Sequence, residues 1–157
     1  CNECVELCNT ILLEELKRCD EDPGMLQEVG QLLLEARHTR FANTVLQRLV
    51  RAHPDDAQAQ HNLAVSYFLK RRMEDGIRHC RRALKIRPDY PLALYNLALA
   101  HLQQGQVQRA RRYASRALTI DPRNELVLRL SRKLGMLGFW ARLRLRLFGR
   151  RPRPDAA

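Results

Sequence analysis

A period of 34 residues governs most of this chain. Pro54, Pro88 and Pro122 follow one another at this interval. Small or apolar residues recur at the same step, in the sets Val29, Leu63 and Leu97; Gly30, Ala64 and Ala98; Ala42, Gly76 and Ala110; Leu49, Ala83 and Ala117. A fixed period of this length is typical of a solenoid, in which each repeat is one supersecondary unit that packs on its neighbours.

Each repeat is predicted to hold two helices joined by a short turn. In the second repeat the apolar residues of Ala57–Leu69 follow helical spacing, and residues 70–72 supply the turn. Met73–Ile86 is the predicted second helix, and Pro88 prevents its continuation because proline has no N–H to donate. Gly76 would let the two helices of a pair approach closely.

The charge of the chain is uneven along its 157 residues. The net charge is +11, whereas residues 1–22 hold seven acids and two bases, and residues 125–157 hold nine bases and two acids. This asymmetry predicts different partners at the two ends and allows self-association between copies. The chain begins with Cys1 and without an initiator Met, so we expect a fragment or processed form of a longer protein.

Four of the five cysteines fall in the first 19 residues: Cys1, Cys4, Cys8 and Cys19. Their surroundings are not the loop-rich context of disulfide scaffolds, so reduced thiols in a cytoplasmic protein are predicted. Cys4 and Cys8 could share a metal on one helix face, but no second pair of ligands accompanies them. We therefore expect no metal and no cofactor; a lipidated Cys1 is a further alternative.

These residues resemble the tetratricopeptide repeat (TPR) family, with repeats at 23–56, 57–90 and 91–124. The matching positions are Val29-Gly30, Ala42 and Pro54; Leu63-Ala64, Tyr67, Ala83 and Pro88; Leu97-Ala98, Ala110, Ala117 and Pro122. Large core residues of the family are replaced at four positions, which is expected to thin the core: Gln60, Cys80, His101 and Ala114. The resemblance implies an all-α, right-handed α-solenoid of three helix pairs. Residues 1–22 would form a preceding helix, which could be the second helix of a truncated repeat. Residues 125–149 would form a capping helix with a basic amphipathic extension, and 150–157 a disordered tail.

The resemblance also implies that the first helices of the repeats line a concave groove that binds a peptide or helix. The positions carried over are Gln27, Gln31, His61, Asn62, Val65, Phe68, Leu92, Tyr95, Asn96 and Leu99. The amides of Asn62 and Asn96 could bind a peptide backbone, since an amide both donates and accepts. The alternative is that both asparagines only support local packing.

A subset of the family grips the C-terminal carboxylate of heat-shock chaperones with a Lys/Asn/Arg clamp. Asn62 fits one position of that clamp, but the surrounding basic positions hold Gln27, Leu92 and Asn96. These side chains cannot bind a carboxylate by charge, so chaperone tails are not the expected ligand.

Two arginine-rich features indicate an alternative function. As a helix, residues 139–153 would place apolar and arginine side chains on different faces, a pattern suited to an anionic membrane surface or polyanion, through Trp140, Arg142, Arg144, Arg146, Arg150 and Arg151. The strict alternation of Leu and Arg over residues 142–147 also fits a strand. This segment could instead cap the last repeat. Arginines 34 apart on the second helices could also form a ridge for phosphates or acidic segments, or simply a solvated face: Arg48, Arg82 and Arg116, with Arg78 and Arg112.

The sequence contains no recognisable enzyme motif: it has no Gly-rich phosphate-binding loop, no His-Glu-x-x-His and no Gly-x-Ser-x-Gly. The predicted function is a non-enzymatic adaptor or scaffold that binds a protein or peptide partner. Nucleic acid is not an expected partner. The predicted location is cytoplasmic, with a membrane-peripheral form as the alternative.

Overall fold

The computed structural model describes residues 22–135. Six helices have both ends in this range: α1 (Pro23–Glu35), α2 (Thr39–Ala52), α3 (Ala57–Leu69), α4 (Met73–Ile86), α5 (Pro91–Gln103) and α6 (Val107–Ile120). Residues 125–135 are also helical and are called α7. No strand occurs between residues 22 and 135. The bounds of α3 and α4 are those that the apolar spacing predicts, whereas the predictions for residues 1–21 and 136–157 lie outside the described residues.

The chain divides into two units between Ala93 and Leu94. In the first unit, α1 packs on α2, α2 on α3, and α3 on α4. One apolar cluster joins α1, α2 and α3 through Leu26, Ala42, Val45, Leu46, Leu49, Val50, Ala59, Leu63 and Tyr67. A second, smaller cluster of the same unit consists of Ala57, Ala83, Tyr90 and Ala93. Small residues thus stand at the contacts where helices come close.

In the second unit, buried apolar side chains come from α5, α6 and α7: Leu94, Leu97, Ala98, Ala100, Ala110, Ala114, Ala117, Val127, Leu130 and Leu134. Each of the three helices therefore keeps one apolar face away from water. That burial is the main favourable contribution to the folding of such a unit.

Polar side chains are buried with hydrogen-bond partners at two of the four replaced positions, Gln60 and His101. The thinning of the apolar core stays a prediction. Gln60 is 2% exposed; its Nε2 donates to the Pro54 carbonyl at 2.8 Å, and its Oε1 accepts from His79 Nδ1 at 2.8 Å. His101 is also 2% exposed and stacks on Tyr113, with ring centroids 5.3 Å apart. These bonds offset the cost of burying polar groups.

Residues 34 apart also begin the helices. Asp22 Oδ1 accepts hydrogen bonds from the first-turn N–H groups of α1, and Asp56 Oδ1 does the same for α3. Asn124 Oδ1 accepts from the Val127 N–H in α7. Tyr90 holds the equivalent position before α5, but its side chain is buried and contributes to the core instead.

The first helix of each pair ends in the same motif, with one residue in the left-handed conformation: Arg37 (φ 59°), Arg71 (φ 62°) and Gly105 (φ 72°). In each case the next residue's N–H bonds a carbonyl five positions earlier, as Arg72 does to Tyr67 at 2.9 Å. This is the Schellman arrangement, which satisfies the last carbonyls of the helix. The structure thus places arginine twice where glycine is usual.

We expect Gly105→Ala to lower the free energy of unfolding by about 1 kcal/mol, because a side chain disfavours this backbone conformation. A Cβ at Gly105 would meet no atom within 4 Å, so crowding adds nothing. Arg71→Gly should act in the opposite direction by up to about 1 kcal/mol. Urea unfolding of both variants tests this, and equal shifts of the same sign would contradict it.

Candidate binding surfaces

Charge separates the first helices of the pairs from the second. The 39 residues of α1, α3 and α5 include no Lys or Arg, and their acids are Glu28 and Glu35. In contrast, α2, α4 and α6 carry eleven basic residues. A partner that contacts the first helices therefore meets apolar and uncharged polar groups, whereas one that contacts the second helices meets arginine.

An apolar ridge runs along α5. Leu92 is 42% exposed, and Tyr95, Leu99 and Leu102 are half-buried. Their spacing places the four on one side of the helix over about 15 Å, at a rise of about 1.5 Å per residue. The opposite side of α5 is buried. A helix with apolar residues on all sides is normally buried on all sides. The exposed ridge of α5 is therefore suited to binding a partner that would bury it.

Helix α3 presents Val65 and Phe68, both half-buried, and Leu69, which is 42% exposed. The ring of Phe68 lies against Gly76 of α4, so closely that a Cβ at Gly76 would overlap it. Phe68 therefore packs within its own helix pair as well as facing solvent. Leu69 is an exposed apolar residue that the family positions do not include.

His61 and Asn62 lie beneath the surface of α3 rather than on it. They are 7% and 8% exposed. The His61 ring lies 5.0 Å from that of Tyr90, whose hydroxyl is 3.4 Å from His61 Nδ1. Burial lowers the pKa of His61 to about 4. The Asn62 Nδ2 is buried without a hydrogen-bond partner among residues 22–135, and its binding of a peptide backbone stays a prediction.

The candidate residues of α1 differ in exposure. Gln31 is exposed, and its Nε2 donates to Glu35 Oε1 at 3.2 Å. Gln27 is half-buried, and its Oε1 lacks a hydrogen-bond partner in the described part of the chain. On α5, Asn96 is half-buried. None of these positions supplies a positive charge for a carboxylate.

The arginines of the predicted ridge differ in exposure. Arg78, Arg82, Arg112 and Arg116 are exposed, whereas Arg48 is half-buried and its Nη1 is buried. The Asp75 carboxylate binds Arg78 and also Arg72, at 2.6 Å for the latter. The ridge is therefore partly neutralised on α4. Trp140 and the arginines of residues 142–151 lie outside the described residues, so the membrane alternative stays a prediction.

Further properties of residues 22–135 concern metal binding, cysteine reactivity and membrane-spanning helices. No group of three or more His, Cys, Asp or Glu residues is placed to hold a metal ion there. Cys80 is fully buried, and its burial raises the pKa of the thiol to about 12, which suppresses thiolate chemistry. Within the same range no helix has the length and apolar character needed to cross a membrane.

The tetratricopeptide repeat family model matches residues 55–123, which begin before α3 and end after α6. Over these residues the chain is similar to tetratricopeptide repeats. No curated protein sequence matches the chain significantly.

Solved TPR domains share the fold. The first TPR domain of Spaghetti (RPAP3), bound to the HSP90 peptide SRMEEVD, superimposes with a TM-score of 0.70 at 19% identity, covering 75% of this chain and 94% of that one. The second TPR domain of human RPAP3, in complex with the HSP70 peptide SGPTIEEVD, gives 0.65 at 19% identity, with 72% and 98% covered. The Sgt2 TPR domain of Aspergillus fumigatus gives 0.71 at 14% identity, with 87% and 89% covered. At these identities the likeness shows the fold, an all-α solenoid of helix pairs.

The groove positions predicted from the TPR family include three residues of the apolar ridge on α5. They do not include the residues of a cavity in the second unit. Leu92, Tyr95 and Leu99 were predicted as groove residues, and all three are partly exposed on one side of α5. A polar cavity of the second unit was missed, lined in part by Arg111, Ser115 and Ser131. Its residues come from two helices, and no spacing in the sequence links them.

Proposed function

We propose that this TPR chain is a non-enzymatic interaction module that binds a peptide or helix on its first helices. The observation that carries the proposal is the ridge of α5, with Leu92, Tyr95 and Leu99 partly exposed on a helix whose other side is buried. TPR domains are interaction scaffolds, and two of the similar structures hold a peptide. Burying such a ridge would supply about 25 cal/mol for each Å² removed from water.

The partner that fits these helices is apolar and does not depend on a terminal carboxylate. Gln27, Leu92 and Asn96 stand where the carboxylate clamp of the family has basic residues, and α1, α3 and α5 have no Lys or Arg elsewhere. Recognition would come from apolar anchors spaced three, four and seven residues apart, as when an amphipathic helix binds a groove. Asn96 would orient such a segment through its amide.

Affinity capture from native lysate, with identification and purification of the captured protein, provides the test. The double variant Leu92→Ser/Leu99→Ser is expected to weaken binding of the purified partner at least tenfold, since two apolar anchors are removed. Arg112→Ala, on the second helix α6, should change the affinity less than twofold.

The peptide SRMEEVD serves as the negative control and should not bind saturably. Circular dichroism and thermal unfolding verify that the variants remain folded, and Asn96→Ala provides a milder second variant of the same surface. A partner that binds the leucine variant and the parent equally would remove the first helices from the proposal.

A further inference from the structure

A small cavity opens between α6 and α7 in the second unit. Its volume is about 180 Å³, and its lining residues are Arg111, Ala114, Ser115, Ser131, Leu134 and Gly135. Pockets that hold drug-sized ligands measure about 300–1,000 Å³. This cavity therefore suits a group of a few heavy atoms.

The guanidinium of Arg111 is held in place at this cavity. Its Nη2 donates to the Leu134 carbonyl at 2.6 Å, near the end of the described part of α7. An arginine side chain has five N–H donors, and the bond to Leu134 uses one of them. Among the residues of 22–135 that line the cavity, none is acidic. The preferred ligand is consequently an anion that accepts several hydrogen bonds.

Two serines, whose hydroxyl groups can donate hydrogen bonds, also line the cavity. Ser115 lies one helical turn after Arg111 on α6, and Ser131 reaches the cavity from α7. The surrounding charge also favours an anion, because residues 94–135 contain eight bases and two acids. One of those acids, Glu125, already pairs with Arg129 at 3.4 Å.

We propose that this cavity binds a phosphoryl group, with Arg111 and the hydroxyls of Ser115 and Ser131 as its donors. Arginine matches phosphate oxygens with two parallel N–H groups, and each serine can donate to a further oxygen. Three separate donor side chains suit a group with three terminal oxygens better than a carboxylate with two. The phosphoryl group comes either from inorganic phosphate or from a phosphorylated side chain of a partner protein.

Titration of the full chain with inorganic phosphate and with a phosphoserine peptide, followed by amide NMR shifts, tests the proposal. At least one probe should give saturable shifts centred on Ser115 and Ser131. Arg111→Gln should weaken its binding at least tenfold, and Ser115→Ala/Ser131→Ala about threefold or more. The matched control is Arg132→Gln, which removes the same charge from the exposed residue of α7 that follows Ser131, outside the cavity, and should cost less than threefold.

Arg111→Lys provides a second variant that keeps the charge and a donor for the Leu134 carbonyl but loses the paired N–H groups. A loss of phosphate affinity in this variant, with unchanged thermal unfolding, supports recognition by the guanidinium. Saturation by phosphate alone identifies the free ion as ligand, and saturation by the peptide identifies a phosphorylated partner. Equal losses in Arg111→Gln and Arg132→Gln, equal binding of acetate, or shifts that never saturate would overturn the proposal.

Discussion

Gly76→Ala is expected to lower the free energy of unfolding by about 2 kcal/mol, although alanine is the better helix former by about 1 kcal/mol. Three ring atoms of Phe68 lie within 3 Å of the place where the new Cβ would stand. The ring must therefore move out of its contact with α4, which costs more than the gain in helix propensity. Urea or thermal unfolding of the variant measures the change.

Gly76→Ala should no longer destabilise the protein when Phe68 is replaced by leucine. The other two repeats hold a leucine and an alanine at these positions: Leu34 with Ala42, and Leu102 with Ala110. In Phe68→Leu, we expect Gly76→Ala to be neutral or stabilising by up to about 1 kcal/mol. Gly135→Ala is the matched control, since a Cβ on this helical glycine meets no atom within 4 Å. Equal destabilisation with and without Phe68 would show that the ring is not the cause.

Acid should destabilise the first unit between pH 7 and pH 5. Burial lowers the pKa of His61 to about 4, and the positive charge of Arg87 adds to the effect. Burial likewise lowers the pKa of His79 to about 4, assisted by Arg82 and Arg78. The unfolded chain, with ordinary histidine pKa values near 6.5, binds more protons than the folded chain in this window, so stability falls as the pH falls and levels off above about pH 7.

His61 is expected to lower the free energy of unfolding by about 2 kcal/mol at pH 5 relative to pH 7. The decrease from His79 should be smaller, because its arginine neighbours are exposed to solvent that screens their charges. Urea unfolding at pH 5, 6 and 7 measures the slope. His61→Gln and His79→Gln should each reduce this slope. If the pH dependence of stability persists in the double variant of His61 and His79, other groups cause it.

Local signals account for the part of the fold that the sequence predicted well. The bounds of α3 and α4 follow from apolar spacing, a turn of charged residues and a proline that stops the second helix. Each of these signals acts within a few residues of the chain. The repeats in residues 55–123 could be recognised for the same reason, because each repeat carries its own copy of these local signals.

Exposure could not be predicted in the same way. Asn62 and His61 occupy family groove positions, yet both are buried, the latter beside Tyr90. Tyr90 stands where aspartate or asparagine caps the helices at the other repeat junctions, and its burial was not apparent from the period. Whether a side chain reaches solvent depends on residues of other helices, which the spacing within one helix does not report.

The sequence by itself determined the helix pairs, their period and the separation of charge between first and second helices, since all three are properties of position along the chain. Only the tertiary structure decided that Phe68 packs on Gly76, that Arg37 and Arg71 adopt the left-handed conformation, and that Arg111 and Ser131 line the same cavity. These features depend on distances between atoms of different helices and turns. Such distances are set by how whole helices pack, because close packing leaves little room for any one side chain to move independently.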